Sequence, residues 1–232
     1  MTKKITLIWV LLFFAGLCYG QSSFAKGEEL LMQNKPAQAE GYLMQAISYD
    51  PANPVTYIYL GIVYEQLGKA EDAITVYRRA LPMAGKLSAN VANNLGNVYF
   101  QTENVETAEQ YYTQAISFDM GYSGAYLGRA NSRIKMGNLQ NAVSDYEHYL
   151  RLEPRSPQRT KIEQLINLIR TEAAAAEIKR QLAEEEARRL AEERQKLLDS
   201  VAASLQSGAS SGRGLSSGAE SVENYDGEFE LD

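Results

Sequence analysis

Acid–base, metal and nucleophilic chemistry in this chain would have to be built around one histidine, His148, and one cysteine, Cys18. Zinc sites commonly draw on several His or Cys ligands, and a Ser or Cys nucleophile commonly uses a His base, so this inventory removes most such constellations. His148 lies among charged neighbours in a helix-forming stretch, which reads as a surface side chain. Gly212, Gly214 and Gly218 fall in a Ser/Gly run rather than between a strand and a helix, so they cannot preform a phosphate cradle. No catalytic residue, metal ligand or cofactor is expected.

The charge balance narrows the partners. Lys and Arg number 23 against 29 Asp and Glu, a net charge of -6, which gives no basic surface for phosphate backbones, and nucleic acid is not an expected partner. Hydrophobic residues at 45% and charged residues at 22% are ordinary for a folded chain, so most of it should bury a core. The unusual feature is fifteen Tyr against one Trp.

At the amino terminus Lys3 and Lys4 precede an apolar run from Ile5 to Leu17, the order of an export signal. Thirteen residues fall short of the roughly twenty that a membrane-spanning helix needs. Residues 1–20 are therefore expected to be a signal peptide cleaved after Gly20, and the protein to be exported to the periplasm or cell envelope. A second reading makes Cys18 the lipidated first residue of a lipoprotein, although bulky Leu17 stands where such signals carry a small residue. Membrane association is expected only if Cys18 is lipidated or the signal stays uncleaved.

Self-comparison organises the middle of the chain. Leu60-Gly61 with Tyr64 recurs as Leu95-Gly96 with Tyr99, and Ala73, Tyr77 and Ala80 recur as Ala108, Tyr112 and Ala115, always thirty-five residues apart. The frame extends back to Gly27, Leu30, Ala39, Leu43, Ala46 and Pro51, and forward to Tyr126, Ala130, Ala142, Tyr146 and Pro154. Four units result, at 20–53, 54–88, 89–122 and 123–156. Each holds two helix-period apolar stripes parted by a turn, at Asn34-Lys35-Pro36, Leu67-Gly68-Lys69, Glu103-Asn104 and Met136-Gly137-Asn138. Gly27, Gly61, Gly96 and Ala130 on the first helices are expected to face Ala39, Ala73, Ala108 and Ala142 on the second. Pro82 should end or kink the second helix of its unit, which also carries one extra residue. In the first unit Ser23 and Lys26 stand where bulky residues are usual, which would fray its first helix.

At these residues the chain resembles the tetratricopeptide repeat family, in particular its exported bacterial members. The resemblance implies an all-α, right-handed solenoid of four helical hairpins, in which neighbouring units cover the apolar face that one hairpin leaves open. Ser156 and Pro157 signal a capping helix over 157–172, with Ile162, Leu165, Ile166 and Ile169 on one face. Residues 173–206 read as a long charged helix, with Glu184–Arg188, Glu185–Arg189 and Glu192–Lys196 at pairing distance. Its sparse apolar positions, Ile178, Leu182, Leu190, Leu197, Val201 and Leu205, leave two readings open, a solvated spacer or a self-associating coiled coil. Residues 207–219 read as a flexible Ser/Gly linker and 220–232 as a disordered acidic tail. A sharper reading makes Tyr225, Phe229 and Leu231 of that tail a docking motif for another protein.

In the repeat family the first helices line a concave groove that takes peptides. Carried onto this frame, the groove falls at Asn90, Asn93, Asn94, Asn97, Phe100 and Gln101 of the third unit and Leu127, Asn131, Ile134 and Lys135 of the fourth. Val55, Ile58, Tyr59 and Ile62, with Phe24 and Met32, supply an apolar half. The asparagine amides are expected to form a ladder able to pair a peptide backbone. The Lys and Arg that clamp a terminal carboxylate in the family's co-chaperones are missing. The implied role is a non-enzymatic scaffold for a protein or peptide partner; the alternatives are a homo-oligomer joined by the charged helix and a lipid-anchored assembly factor.

Overall fold

The structure, a computed structural model, describes residues 21–216. The expected signal peptide, Cys18 and the acidic tail from 220 lie outside the described residues. Among the described residues every regular element is a helix. Residues 21–32 form α1, followed by α2 (Pro36–Tyr49), α3 (Pro54–Gln66), α4 (Ala70–Ala80), α5 (Ser88–Gln101), α6 (Val105–Phe118), α7 (Ser123–Lys135), α8 (Leu139–Leu152) and α9 (Arg159–Ser216). No helix among the described residues is long and apolar enough to cross a membrane.

Four hairpins follow one construction. Each tight turn places one residue in the left-handed region, Asn34, Gly68, Glu103 and Gly137, at the same place in the repeat. The amide after it reaches back five residues, Lys35 to Leu30, Lys69 to Tyr64, Asn104 to Tyr99 and Asn138 to Arg133, which closes the helix end and satisfies a carbonyl. Glu103 is the costly member, since a side chain in that conformation is disfavoured by about 1 kcal/mol or more. Glu103→Gly is expected to raise unfolding stability by about 0.5–1 kcal/mol in urea titration, because its exposed pairing with Lys135 contributes little.

Stacking is continuous through the hairpins. Helices pair within units, α3 on α4, α5 on α6 and α7 on α8, and across them, α2 on α3, α4 on α5 and α6 on α7. Leu30, Leu43, Leu60, Val63, Tyr77, Val91, Leu95 and Val98 fill one buried cluster, and Tyr126, Tyr146, Tyr149 and Leu150 fill another with Ile162, Ile166 and Ile169 of α9. Between them Tyr112 is buried with Ala92, Ala108, Ala115 and Ala125. The four alanines of the repeat are fully buried, and the atoms nearest the open face of each glycine belong to a large side chain. A Cβ on Gly61 would lie 2.3 Å from the Tyr77 ring, one on Gly96 2.6 Å from Tyr112, and one on Gly27 2.7 Å from Leu43. The absent side chain makes room for a large residue one turn beyond the alanine. Tyr112 needs such room twice, since a Cβ on Gly128 of the next hairpin would also meet it at 2.4 Å.

The departures in the second unit have the expected result. α4 stops at Ala80, and Pro82 and the extra residue are taken up by two 3-10 turns, Leu81–Met83 and Gly85–Leu87. α1 does not fray as expected, because Ser23 is buried and donates to Gln45 Oε1 at 3.1 Å.

The fourth hairpin holds an ion cluster where the second and third hold apolar packing. Arg129 occupies the place of Leu60 and Leu95, and its guanidinium grips Asp145 with Nε to Oδ2 at 2.9 Å and Nη2 to Oδ1 at 2.7 Å. Arg133 bonds the same carboxylate at 2.7 Å and Glu109 of α6 at 2.7 Å, and Arg129 also donates to Thr113. Two buried-side charges of each sign therefore link α6, α7 and α8.

The chain divides into one compact unit ending at Ile169 and another beginning at Arg170. Two expectations for α9 need correction. It starts at Arg159, not Pro157, because Ser156 Oγ accepts from the Gln158 amide within a turn that precedes the helix. It then runs on as one element instead of a separate capping helix and charged helix, and it passes Gln206 to reach Ser216. Ser and Gly weaken a helix without blocking it, and extending an existing helix is far easier than nucleating one. The ion pairs also differ: Arg180 meets Glu177 and Glu184, and Arg189 meets Glu193, in place of the three expected pairs. Exposed long side chains gain only tenths of a kcal/mol from pairing, so spacing does not select one arrangement.

Candidate interaction groove

The recurrent tyrosines of the second helices organise the wall formed by the first helices. Tyr77, Tyr112 and Tyr146 are buried, and their hydroxyls reach Glu65 Oε1 at 2.5 Å, Asn97 Oδ1 at 2.9 Å and Asn131 Oδ1 at 2.7 Å. Burial pushes all three phenols above their ordinary range, with the Glu65 charge adding to the effect on Tyr77 and Tyr112, so they remain donors. Because Asn97 and Asn131 each use Oδ1 on a tyrosine, their orientation is fixed and the Nδ2 donors have no partner among the described residues.

Those two amides share an open cleft of about 200 Å³ with Phe100, Gln101, Leu127 and Tyr112, floored by Gly124 and Gly128. The structure thus brings together Asn97, Phe100, Gln101, Leu127 and Asn131 from the expected set. Lys135 lies beside them, bonded to Glu103 and 4.8 Å above the Phe100 ring.

The remaining members behave differently. Asn90 donates to the Tyr122 hydroxyl at 3.2 Å and accepts from Asn94 at 3.5 Å, so these two amides are engaged with their own neighbours. Asn93 is only 8% exposed, and its Oδ1 is buried without a hydrogen-bond partner. Ile58 is 7% exposed and belongs to the buried cluster, and Ile62 is half-buried at its edge. Phe24 packs edge-on against Tyr59 at 5.2 Å, whereas Met32 is largely in solvent.

Two carboxylates of the first helices escaped sequence reasoning. Glu28 accepts from the Tyr59 hydroxyl at 2.7 Å, and Glu65 accepts from Tyr77. The repeat frame carried a signal: the counterparts of Glu65 are Leu31, Phe100 and Ile134, so a carboxylate stands where the pattern takes an apolar side chain. Burial raises the Glu65 pKa above 4.5, partly offset by the Tyr77 hydrogen bond. Between the unfolded and the raised folded value the native state holds more protons, so stability falls as pH rises through that window and the cost persists at neutral pH. Glu65→Gln, which still accepts from Tyr77, is expected to melt no lower than wild type at neutral pH and to flatten the stability profile just above the unfolded value. A lower melting temperature would show that the carboxylate is needed for folding.

His148 is exposed, with its ring 5.1 Å from Tyr126, and burial together with Arg151 lowers its pKa. Among the described residues no group of three or more His, Cys, Asp or Glu could hold a metal ion.

Family models described as tetratricopeptide repeat match residues 30–96, 89–119 and 123–156, together more than half of the chain. The chain belongs to the tetratricopeptide repeat family. Human RNA polymerase II-associated protein 3 is 37% identical over 132 residues, covering 57% of this chain and 19% of that protein. This tetratricopeptide chain therefore spans about a fifth of the length of that relative. Among solved structures, Pseudomonas aeruginosa pilF aligns with a TM-score of 0.60 at 21% identity, covering 69% of this chain and 72% of that one. MamA aligns with a TM-score of 0.57 at 22% identity, over 64% and 84% of the two chains. At these identities the likeness is one of fold.

Proposed function

We propose that the protein is a non-enzymatic interaction scaffold that receives a peptide or a segment of a partner protein on the wall of α1, α3, α5 and α7. One observation carries the reading: Tyr112 and Tyr146 hold Asn97 and Asn131 with their amide donors unspent beside an apolar cleft. A peptide backbone supplies the matching carbonyls, and each hydrogen bond contributes about 0.5–1.5 kcal/mol net. The charge-then-hydrophobe start of the chain supports export to the periplasm or cell envelope, with Cys18 as the lipid anchor if the signal is processed there.

Capture of partners by the tagged protein, read by quantitative mass spectrometry, tests the reading. Gln101→Trp, which fills the cleft from an exposed position, is expected to remove captured partners, while Gln110→Trp on exposed α6 leaves them in place. Equal capture by both variants contradicts it.

A second reading is favoured by the 47–69% exposure of Ile178, Leu182, Leu190, Leu197, Val201 and Leu205, a stripe that a second copy of α9 would cover. Light scattering on the chain ending at Thr171 against the longer one separates the two, since loss of a dimer supports self-association.

A further inference from the structure

In the first two hairpins the inner wall carries half-buried carboxylates. Its carboxylates, Glu28 and Glu65, each accept one tyrosine hydroxyl and have no cationic partner among the described residues. Lys135, on α7 in the fourth hairpin, is already engaged by Glu103. Elsewhere in the repeats half-buried charge is compensated, as Asp145 and Glu109 are by Arg129 and Arg133.

From this geometry we propose that the groove selects a partner segment carrying basic side chains, with a Lys or Arg seated on Glu65 and a second on Glu28. The inference rests on the groove reading above and names the chemistry of its occupant. Packing alone would put an apolar residue at 65, as at Leu31, Phe100 and Ile134, so the carboxylate is kept at a cost that an arriving cation removes. A carboxylate has about four acceptor sites, and Tyr77 uses one at Glu65. Ile62 and Tyr59 lie in the same stretch of wall and suit the aliphatic stem of Lys or Arg. Burial already disfavours the lone negative charge, which a cation would stabilise. Acidic peptide ends meet like charge at Glu28 and Glu65.

The wall also sets a register. Glu65 stands three residues further along its helix than Glu28, which is about 4.5 Å of rise, and neighbouring helices lie on the order of 10 Å apart. The two carboxylates are then roughly 11 Å apart, which an extended peptide spans in about three residues. The recognised pattern is a basic residue, two residues with at least one aliphatic, and a second basic residue.

Selection from a random peptide library displayed on phage, against the full chain, tests this. Enriched peptides are expected to carry Lys or Arg at that spacing. Glu65→Gln should weaken them roughly tenfold without lowering the melting temperature, as expected for one lost charge-assisted hydrogen bond. Glu65→Lys should turn the selection toward acidic peptides. Enriched peptides without basic residues, an affinity indifferent to Glu65→Gln, or no enrichment at all overturns the inference. If such peptides still fail to bind Gln101→Trp, the groove reading survives; if they bind it normally, that reading falls too.

Discussion

Replacing Ile162 and Ile166 together by alanine is expected to strip most of the stability from the carboxyl-terminal end of the repeat array. Both side chains are buried against Tyr126, Val143, Tyr146 and Leu150 of the fourth hairpin. Truncating one buried isoleucine costs about 2–5 kcal/mol, and a whole domain of this kind holds about 5–15 kcal/mol. The two residues sit one turn apart in one cluster, so their costs overlap and the pair falls short of the sum. Because each hairpin leans on its neighbour, the loss should begin locally. Hydrogen exchange should show the amides of α7 and α8 losing protection before those of α3 and α5, with the urea midpoint displaced downward. An unchanged midpoint would show that α9 is not a cap.

Asp145→Ala is expected to cost about 3–5 kcal/mol, because it leaves Arg129 and Arg133, only 14% and 17% exposed at their side chains, without their shared carboxylate. The sharper test is the double variant Arg129→Leu with Asp145→Leu. It installs at 129 the residue that the second and third units carry at Leu60 and Leu95, and it removes both charges together. Well-packed apolar replacements of buried ion clusters are often neutral or stabilising, so the double variant should melt well above Asp145→Ala. Equal melting of the two variants would mean that the site depends on shape and not on compensated charge.

These contrasts also mark what the sequence made legible. The hairpins, their turns and the buried Leu and Tyr positions were readable because covering one face of a helix imposes a period on residue type. The left-handed turn position was readable at Gly68 and Gly137 but not at Glu103, where the context of the repeat overrides the preference of the residue. The Arg129 cluster was not readable, since its members are drawn from three helices and Arg129 keeps the period of Leu60 and Leu95. The large side chains seated against the glycines were not readable for a similar reason: a small residue in sequence does not say whether it admits another small residue or a large ring. Within the groove, Asn97, Gln101 and Asn131 followed from the repeat frame, whereas the burial of Asn93 and Ile58 depends on how the helices are rotated. Glu65 stood out only against its three counterparts, which requires the frame to be laid out first.

Backbone amide shifts of the labelled protein, recorded while a selected peptide is titrated in, probe the wall most directly. Perturbed residues should cluster at Ile62, Glu65, Asn94, Asn97, Gln101 and Asn131, with α2, α4, α6 and α8 quiet on their outer faces. Perturbations confined to the outer helices, or to α9 beyond Ile169, would place the binding surface elsewhere and contradict the account.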